Sequence, residues 1–251
     1  MTAHSSWADV YDIAYQRSFG DFYKGLTNVT VKLITSILSD RSPASISIVD
    51  FGAGTGRLSI PLSEMEYKVT AVEPCQEMLN QLQKKDTGNL VKSVRSTMEE
   101  FQGNGKFDMA LCVFTVILYL LNEDSLKKSL TAAYEALHPD GCLLLDIPSE
   151  ALFRGYSRSD SGFKRNVTVT PHDGSIYSYK EELVVPNDDG KSTSYQDEFQ
   201  IRYWSKQQVM QTLQEVGFVD CEDLTHRITG TGSSYYKYKK PNKRLEQTAA
   251  S

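Results

Sequence analysis

The chain has 251 residues, 40% hydrophobic and 24% charged, and its 27 Lys and Arg against 32 Asp and Glu give a formal net charge of −5. That balance argues against a broadly basic nucleic-acid binder and against a disordered segment. The length falls between one domain and two, and it can bury a full core without disulfide staples.

The four cysteines, Cys75, Cys112, Cys142 and Cys221, make no CxxC pair and no Cys/His cluster. Neither a disulfide framework nor a metal site is therefore expected. The first residues lack the basic-then-apolar build of a signal peptide, and no apolar run reaches spanning length. The expected setting is the cytoplasm, without membrane contact.

In chain order, Trp7–Leu38 reads as helical, with Leu26, Val29, Leu33, Ile34 and Ile37 on one stripe. Ile46–Phe51 is a short apolar strand running into Gly52-Ala-Gly-Thr-Gly56, and a helix follows through Leu62. Tyr67–Glu73 is a second strand, Cys75–Lys85 a helix, and Leu90–Arg95 a third strand. Phe107–Phe114 is nearly continuous in apolar character, as a buried parallel strand should be. Glu123–Leu137 is a helix stopped by His138-Pro-Asp-Gly141, and Cys142–Ile147 is a fifth strand. This alternation predicts a Rossmann-like α/β fold, its mostly parallel sheet covered by helices on both faces.

After Ser149 the helical period disappears. Asn166–Thr170, Ser175–Val185 and Ser194–Tyr203 read as strands, separated by turns at His172-Asp-Gly174 and Asn187–Gly190. They predict an antiparallel β insertion after the fifth strand. Ser205-Lys-Gln-Gln208 is a capping-box start for a helix ending at Gly217. Phe218–Thr225 and Ser233–Lys240 complete a seven-stranded sheet, and 241–251 reads as a flexible tail.

Chemistry is carried by Asp50-Phe-Gly-Ala-Gly-Thr-Gly56 between strand and helix, with Glu73 ending the next strand. Glycines let the backbone turn sharply and approach a ligand. A strand-end acid can accept hydrogen bonds from both ribose hydroxyls. A dinucleotide site would place a small residue where Arg57 stands, and Asp50 would oppose a pyrophosphate. The turn favours a phosphate-free ligand carrying an ammonium and a sulfonium.

These residues resemble the class I S-adenosylmethionine-dependent methyltransferases. The similarity extends to Val72-Glu-Pro74, to Phe107-Asp108, to Leu137–Gly141, and to Arg202–Ser205 with Leu213–Phe218. The resemblance implies S-adenosylmethionine as methyl donor and S-adenosylhomocysteine as product. It implies Asp50, Gly52, Ala53 and Gly54 at the methionyl end, Glu73 at the ribose, Thr97 and Met98 flanking the adenine, and Pro74 as a further cofactor contact. Glu99 stands as a substitute for the Asp that is common at Thr97. Phe114 and Thr115 would face the methyl group and the acceptor. Tyr11, Tyr15 and Tyr119 are candidate substrate-lining residues, and no catalytic base is identified.

Cys112-Val-Phe-Thr115 stands where nucleic-acid amino-methyltransferases carry (N/D)PP(Y/F), and no acid cluster follows the fourth strand for a metal. Pro74-Cys75-Gln76 repeats the PCQ of cytosine-C5 methyltransferases, but after the second strand rather than the fourth. His138, His172 and His226 read as loop or turn residues. Lys237, Lys239, Lys240, Lys243 and Arg244 read as an edge-strand solubility device or an RNA patch.

The expected organisation is an N-terminal helical lid (1–43), a cofactor core (44–148), a β cap (149–204) and a return to the core (205–240). Of 14 tyrosines only Tyr67, Tyr119 and Tyr134 fall within 44–148. The reading is methylation of an N or O nucleophile on a small molecule. Open alternatives are an RNA or protein methyltransferase and a cofactor-binding regulator without turnover. A nicotinamide oxidoreductase is disfavoured by Asp50 and Arg57.

Overall fold

The computed structural model describes residues 2–187 and 189–242. The remainder of the expected tail, with Lys243 and Arg244, lies outside the described residues.

Five parallel strands build the centre: β1 (Ser47–Phe51), β2 (Lys68–Val72), β3 (Lys92–Val94), β4 (Phe107–Cys112) and β5 (Leu137–Pro148). Two C-terminal strands, β10 (Val219–Asp223) and β11 (Ser233–Lys239), extend it in the order β10-β11-β5-β4-β1-β2-β3. Only β11 runs against its neighbours.

Both sheet faces are dry because alternate residues of each strand meet helices. Ala110 and Cys112 of β4 pack toward α5 (Glu123–Ala136) and α6 (Lys206–Val216), with Leu126, Leu130, Val209 and Leu213. Met109 and Leu111 face α2 (Asp21–Ile37), α3 (Ser59–Glu64) and α4 (Gln76–Lys85), with Leu33, Ile34, Leu62 and Leu82. The expected cap of α6 forms: the Ser205 hydroxyl accepts from the Gln208 N–H while the Gln208 side chain accepts from the Ser205 N–H.

A second, antiparallel sheet follows β5 in the order β6-β7-β8-β9. Its strands are β6 (Tyr156–Asp160), β7 (Phe163–Asp173), β8 (Ile176–Pro186) and β9 (Ser192–Arg202). Phe163, Leu183 and Val185 bury one face against Trp7 and Ala14. The N-terminal helices therefore form a layer packed on one face of this sheet.

Several expected boundaries move. Trp7–Leu38 is not one helix but a 3-10 turn (Ser5–Val10), α1 (Tyr11–Phe19) and α2, broken where Gly20 takes φ 55. Strand β4 stops at Cys112, because Phe114 and Thr115 both adopt left-handed backbone. Helix α5 ends at Ala136, and 138–141 joins β5 as an irregular start with Asp140 at φ 66. The second sheet has four strands rather than three, since β6 is short and polar and shows no apolar alternation.

Candidate active site

The turn after β1 is shaped by its neighbours. Gly52 has φ +67, and a Cβ there would lie 2.6 Å from Val116 Cγ2. Gly54, at φ +54, would carry a Cβ into open space where it now lines a cavity. Glu73 is nearly buried and fixed by two backbone donors, Gly54 N–H to Oε2 (3.0 Å) and Cys75 N–H to Oε1 (2.9 Å). Each oxygen retains a lone pair for a hydroxyl.

Asp50 accepts the Ser59 hydroxyl at 2.6 Å. Burial pushes its pKa up to about 7; the Ser59 bond opposes the rise and Glu73 adds to it. Such a carboxylate gains most from a cationic ligand. Across the same small hollow (about 70 Å³) stands Arg57, its guanidinium 3.9 Å from the Tyr23 ring centre and 4.0 Å from that of Phe114. A buried acid facing a held guanidinium suits a zwitterionic amino-acid end.

The loop after β4 is clamped from three sides. Thr115 N–H donates to Asp146 Oδ1 at 2.9 Å. Trp204 Nε1 donates to the carbonyls of Ile117 (3.1 Å) and Leu120 (3.0 Å). Arg202 Nη1 donates to Leu121 O at 3.0 Å. Two consecutive left-handed non-glycine residues are costly, and these bonds hold them in place. The loop thereby presents Phe114, Val116 and Tyr119 to the site.

A cavity of about 540 Å³ joins these parts. It brings together Gly52, Gly54, Glu73, Pro74, Thr97, Met98, Phe114, Tyr11 and Tyr119, with Glu99 beside them. Ala53 and Asp50 line the adjoining small hollow. Glu198, Phe199 and Gln200 of β9 close one side, and among the described residues no Lys or Arg appears on the larger cavity's wall.

Two expected substrate residues stand elsewhere. Tyr15 does not line the cavity; its ring lies 4.2 Å under the Arg165 guanidinium and tilts against Tyr11 and Tyr23. Thr115 is also off the wall, its backbone N–H engaged by Asp146. Several wall residues were not anticipated, among them Val116, Glu198, Phe199 and His4. His4, 7% exposed, places Nε2 2.9 Å from the Tyr119 hydroxyl. Its only sequence signal is an apolar, aromatic neighbourhood around a histidine near the chain start.

His138, His172 and His226 are exposed and off the cavity. In the lysine run, Lys237 pairs with Glu222, Lys239 with Asp140 (2.7 Å), and Lys240 Nζ meets the carbonyls of Tyr134 and Leu137. Engaged cations make a weak phosphate-binding patch. Among the described residues, no group of three or more His, Cys, Asp or Glu could hold a metal ion. No described helix is long and apolar enough to cross a membrane.

Residues 48–141 match the family description "Methyltransferase domain". A candidate methyltransferase of Geobacillus sp. (strain WCH70) is 29% identical over 185 residues, covering 70% of this chain and 74% of its own. The glycine/sarcosine N-methyltransferase of Halorhodospira halochloris is 27% identical over 223 residues, covering 84% of this chain and 75% of its own. The S-adenosylmethionine-bound structure of CalS10, an amino pentose methyltransferase from Micromonospora echinaspora, has a TM-score of 0.72 at 18% identity. It covers 92% of this chain and 96% of that one.

Proposed function

The chain carries a class I S-adenosylmethionine-dependent methyltransferase domain, and on that premise we propose that it methylates an amine nitrogen of a small molecule. One observation carries the choice of acceptor. Beyond the donor site's own carboxylates, the larger cavity is walled by Glu198 and by Tyr11, Tyr119, Phe114 and Phe199, and among the described residues no Lys or Arg lines it. A carboxylate and aromatic faces attract an amine, whereas a phosphate or carboxylate on the acceptor would find no counter-charge there. The name of one similar protein, a glycine/sarcosine N-methyltransferase, agrees with nitrogen as the target.

The residues fit the donor. Glu73 takes the ribose hydroxyls, Pro74, Thr97 and Met98 border the adenine, and Gly52, Ala53 and Gly54 allow close passage of the backbone. Asp50 receives the ammonium of the methionyl end and Arg57 its carboxylate. When bound, S-adenosylmethionine supplies an already activated methyl group. The protein's task is then to align the nucleophile and exclude water. Phe114, Val116 and Tyr119 border the methyl position, and β9 with the N-terminal segment covers it. We read residues 1–43 and 149–204 as the lid and cap of one catalytic unit, so acceptor choice lies largely there.

Methyl-labelled S-adenosylmethionine tests this against two sets of acceptors. Ethanolamine, putrescine and 2-amino-2-deoxyglucose form one; glycine, catechol and bulk tRNA form the other. Label is expected on nitrogen in the first set. Transfer to catechol or tRNA with none to any amine contradicts the reading.

A further inference from the structure

His4 is a buried polar group that the donor site does not use. Its backbone N–H donates to Asp197 Oδ2 at 2.5 Å, and its φ is 63. The ring stands edge-on to Trp7 (5.0 Å), Tyr11 (5.6 Å) and Phe199 (4.9 Å). Strain, burial and an aromatic collar fix the imidazole on the cavity wall.

Its two nitrogens face different partners. Nε2 is 2.9 Å from Tyr119 Oη. Nδ1 is 3.7 Å from Glu181 Oε2, too long for a hydrogen bond, yet neither buried atom has another partner among the described residues. Glu181 Oε1 is already taken by Arg165 Nε. A bare Nδ1 would set its lone pair against a carboxylate lone pair, so the proton belongs on Nδ1. A shift of about half an ångström then brings the pair within normal hydrogen-bond range.

With Nδ1 protonated, Nε2 is an acceptor and takes the Tyr119 hydroxyl hydrogen. Both rings line the cavity. With that hydrogen committed, the electron pairs of Oη are what the phenol offers there.

We propose that Glu181 locks His4 in the Nδ1–H tautomer, and that His4 thereby holds Tyr119 as a hydrogen-bond acceptor for the methyl-accepting nitrogen. His4 is a positioning residue; Tyr119 makes the contact. The nucleophile, seated as the neutral amine after its ammonium proton has gone to solvent, donates an N–H to Oη and keeps its lone pair aimed at the methyl group. No proton passes to His4; the hydrogens of the nucleophile leave with the product. The acceptor's identity rests on the amine reading above, but the tautomer lock does not.

Burial, aided by Arg165, keeps the ring neutral although two carboxylates also face it. Arg165 on β7, Glu181 on β8 and Asp197 on β9 face it, with Tyr11 on α1 and Tyr119 on the loop. Burial lowers the His4 pKa to about 3, and Arg165 adds to the fall. His4 should not titrate under ordinary conditions.

The test is imidazole ¹⁵N spectroscopy of the full chain with bound S-adenosylhomocysteine. His4 is assigned by loss of its signals in His4→Gln. A neutral Nδ1–H tautomer for His4, constant from pH 5 to 9, is expected. Tyr119→Phe should move only the Nε2 signal. An Nε2–H tautomer, or titration of His4 within that range, overturns the proposal. On the amine that turns over in the transfer assay, His4→Phe should lower kcat about tenfold with S-adenosylhomocysteine affinity unchanged. His4→Gln, whose carbonyl can accept from Tyr119, should recover most of it. Equal rates in His4→Phe and the parent also overturn the proposal. If no amine turns over, the amine reading fails, and the spectroscopic test still decides this one.

Discussion

Glu73→Ala is expected to weaken S-adenosylhomocysteine binding by about 100-fold or more, read by calorimetry. The estimate takes two hydroxyl hydrogen bonds to a charged, buried carboxylate, each contributing about 1.5–3 kcal/mol. The substitution also frees the Gly54 and Cys75 N–H groups that Glu73 now orders. Part of the loss will therefore come from the turn itself. Glu73→Gln separates the two effects: it keeps the shape and one carbonyl acceptor, so its affinity should fall between parent and Ala variant. A urea titration should show both variants folded. Binding within a few-fold of the parent in Glu73→Ala contradicts the assignment of the ribose to this carboxylate.

The second large effect is on stability. Arg165 and Glu181 are fully buried side chains joined through Nε and Oε1 between β7 and β8. The guanidinium lies over Tyr15 (4.2 Å) and near Trp7 (5.5 Å), tying the second sheet to the N-terminal helices. Burial opposes its charge, but Tyr15, Glu181, Tyr156 and Tyr179 together hold its pKa above the usual value. Arg165→Met leaves a buried carboxylate without a counter-charge. A loss of about 3–5 kcal/mol in the urea unfolding free energy is expected. Arg165→Met with Glu181→Leu should recover most of it, because an apolar pair removes both desolvation costs. A single variant as stable as the parent, or losses that simply add, would show that the pair does not join the two layers.

The legible parts of this molecule are those set by neighbours in sequence. Strand β1, its glycine turn and Glu73 follow from local pattern, because apolar runs, positive φ and a strand-end acid act over a few residues. The hidden parts depend on distant partners. Phe114 and Thr115 look like a continuation of β4; only Asp146, one strand away in the sheet, holds Thr115 N–H and ends the strand there. Tyr15 carries the same helical spacing as Tyr11, yet one turn of helix takes it from the cavity to Arg165. His4 acquires meaning only when β8 and the loop after β4 fold around it. The lysine run reads as a patch until Glu222 and Asp140 are seen opposite it.

A crystal structure with S-adenosylhomocysteine should show both ribose hydroxyls on Glu73, the amino group at Asp50, and the sulfur opening onto the space between Tyr119, Phe199 and Glu198. A nucleoside in the groove between α1 and α2, lined by Asp12, Tyr23, Lys24 and Thr27, or a sulfur turned away from Tyr119, would contradict that placement.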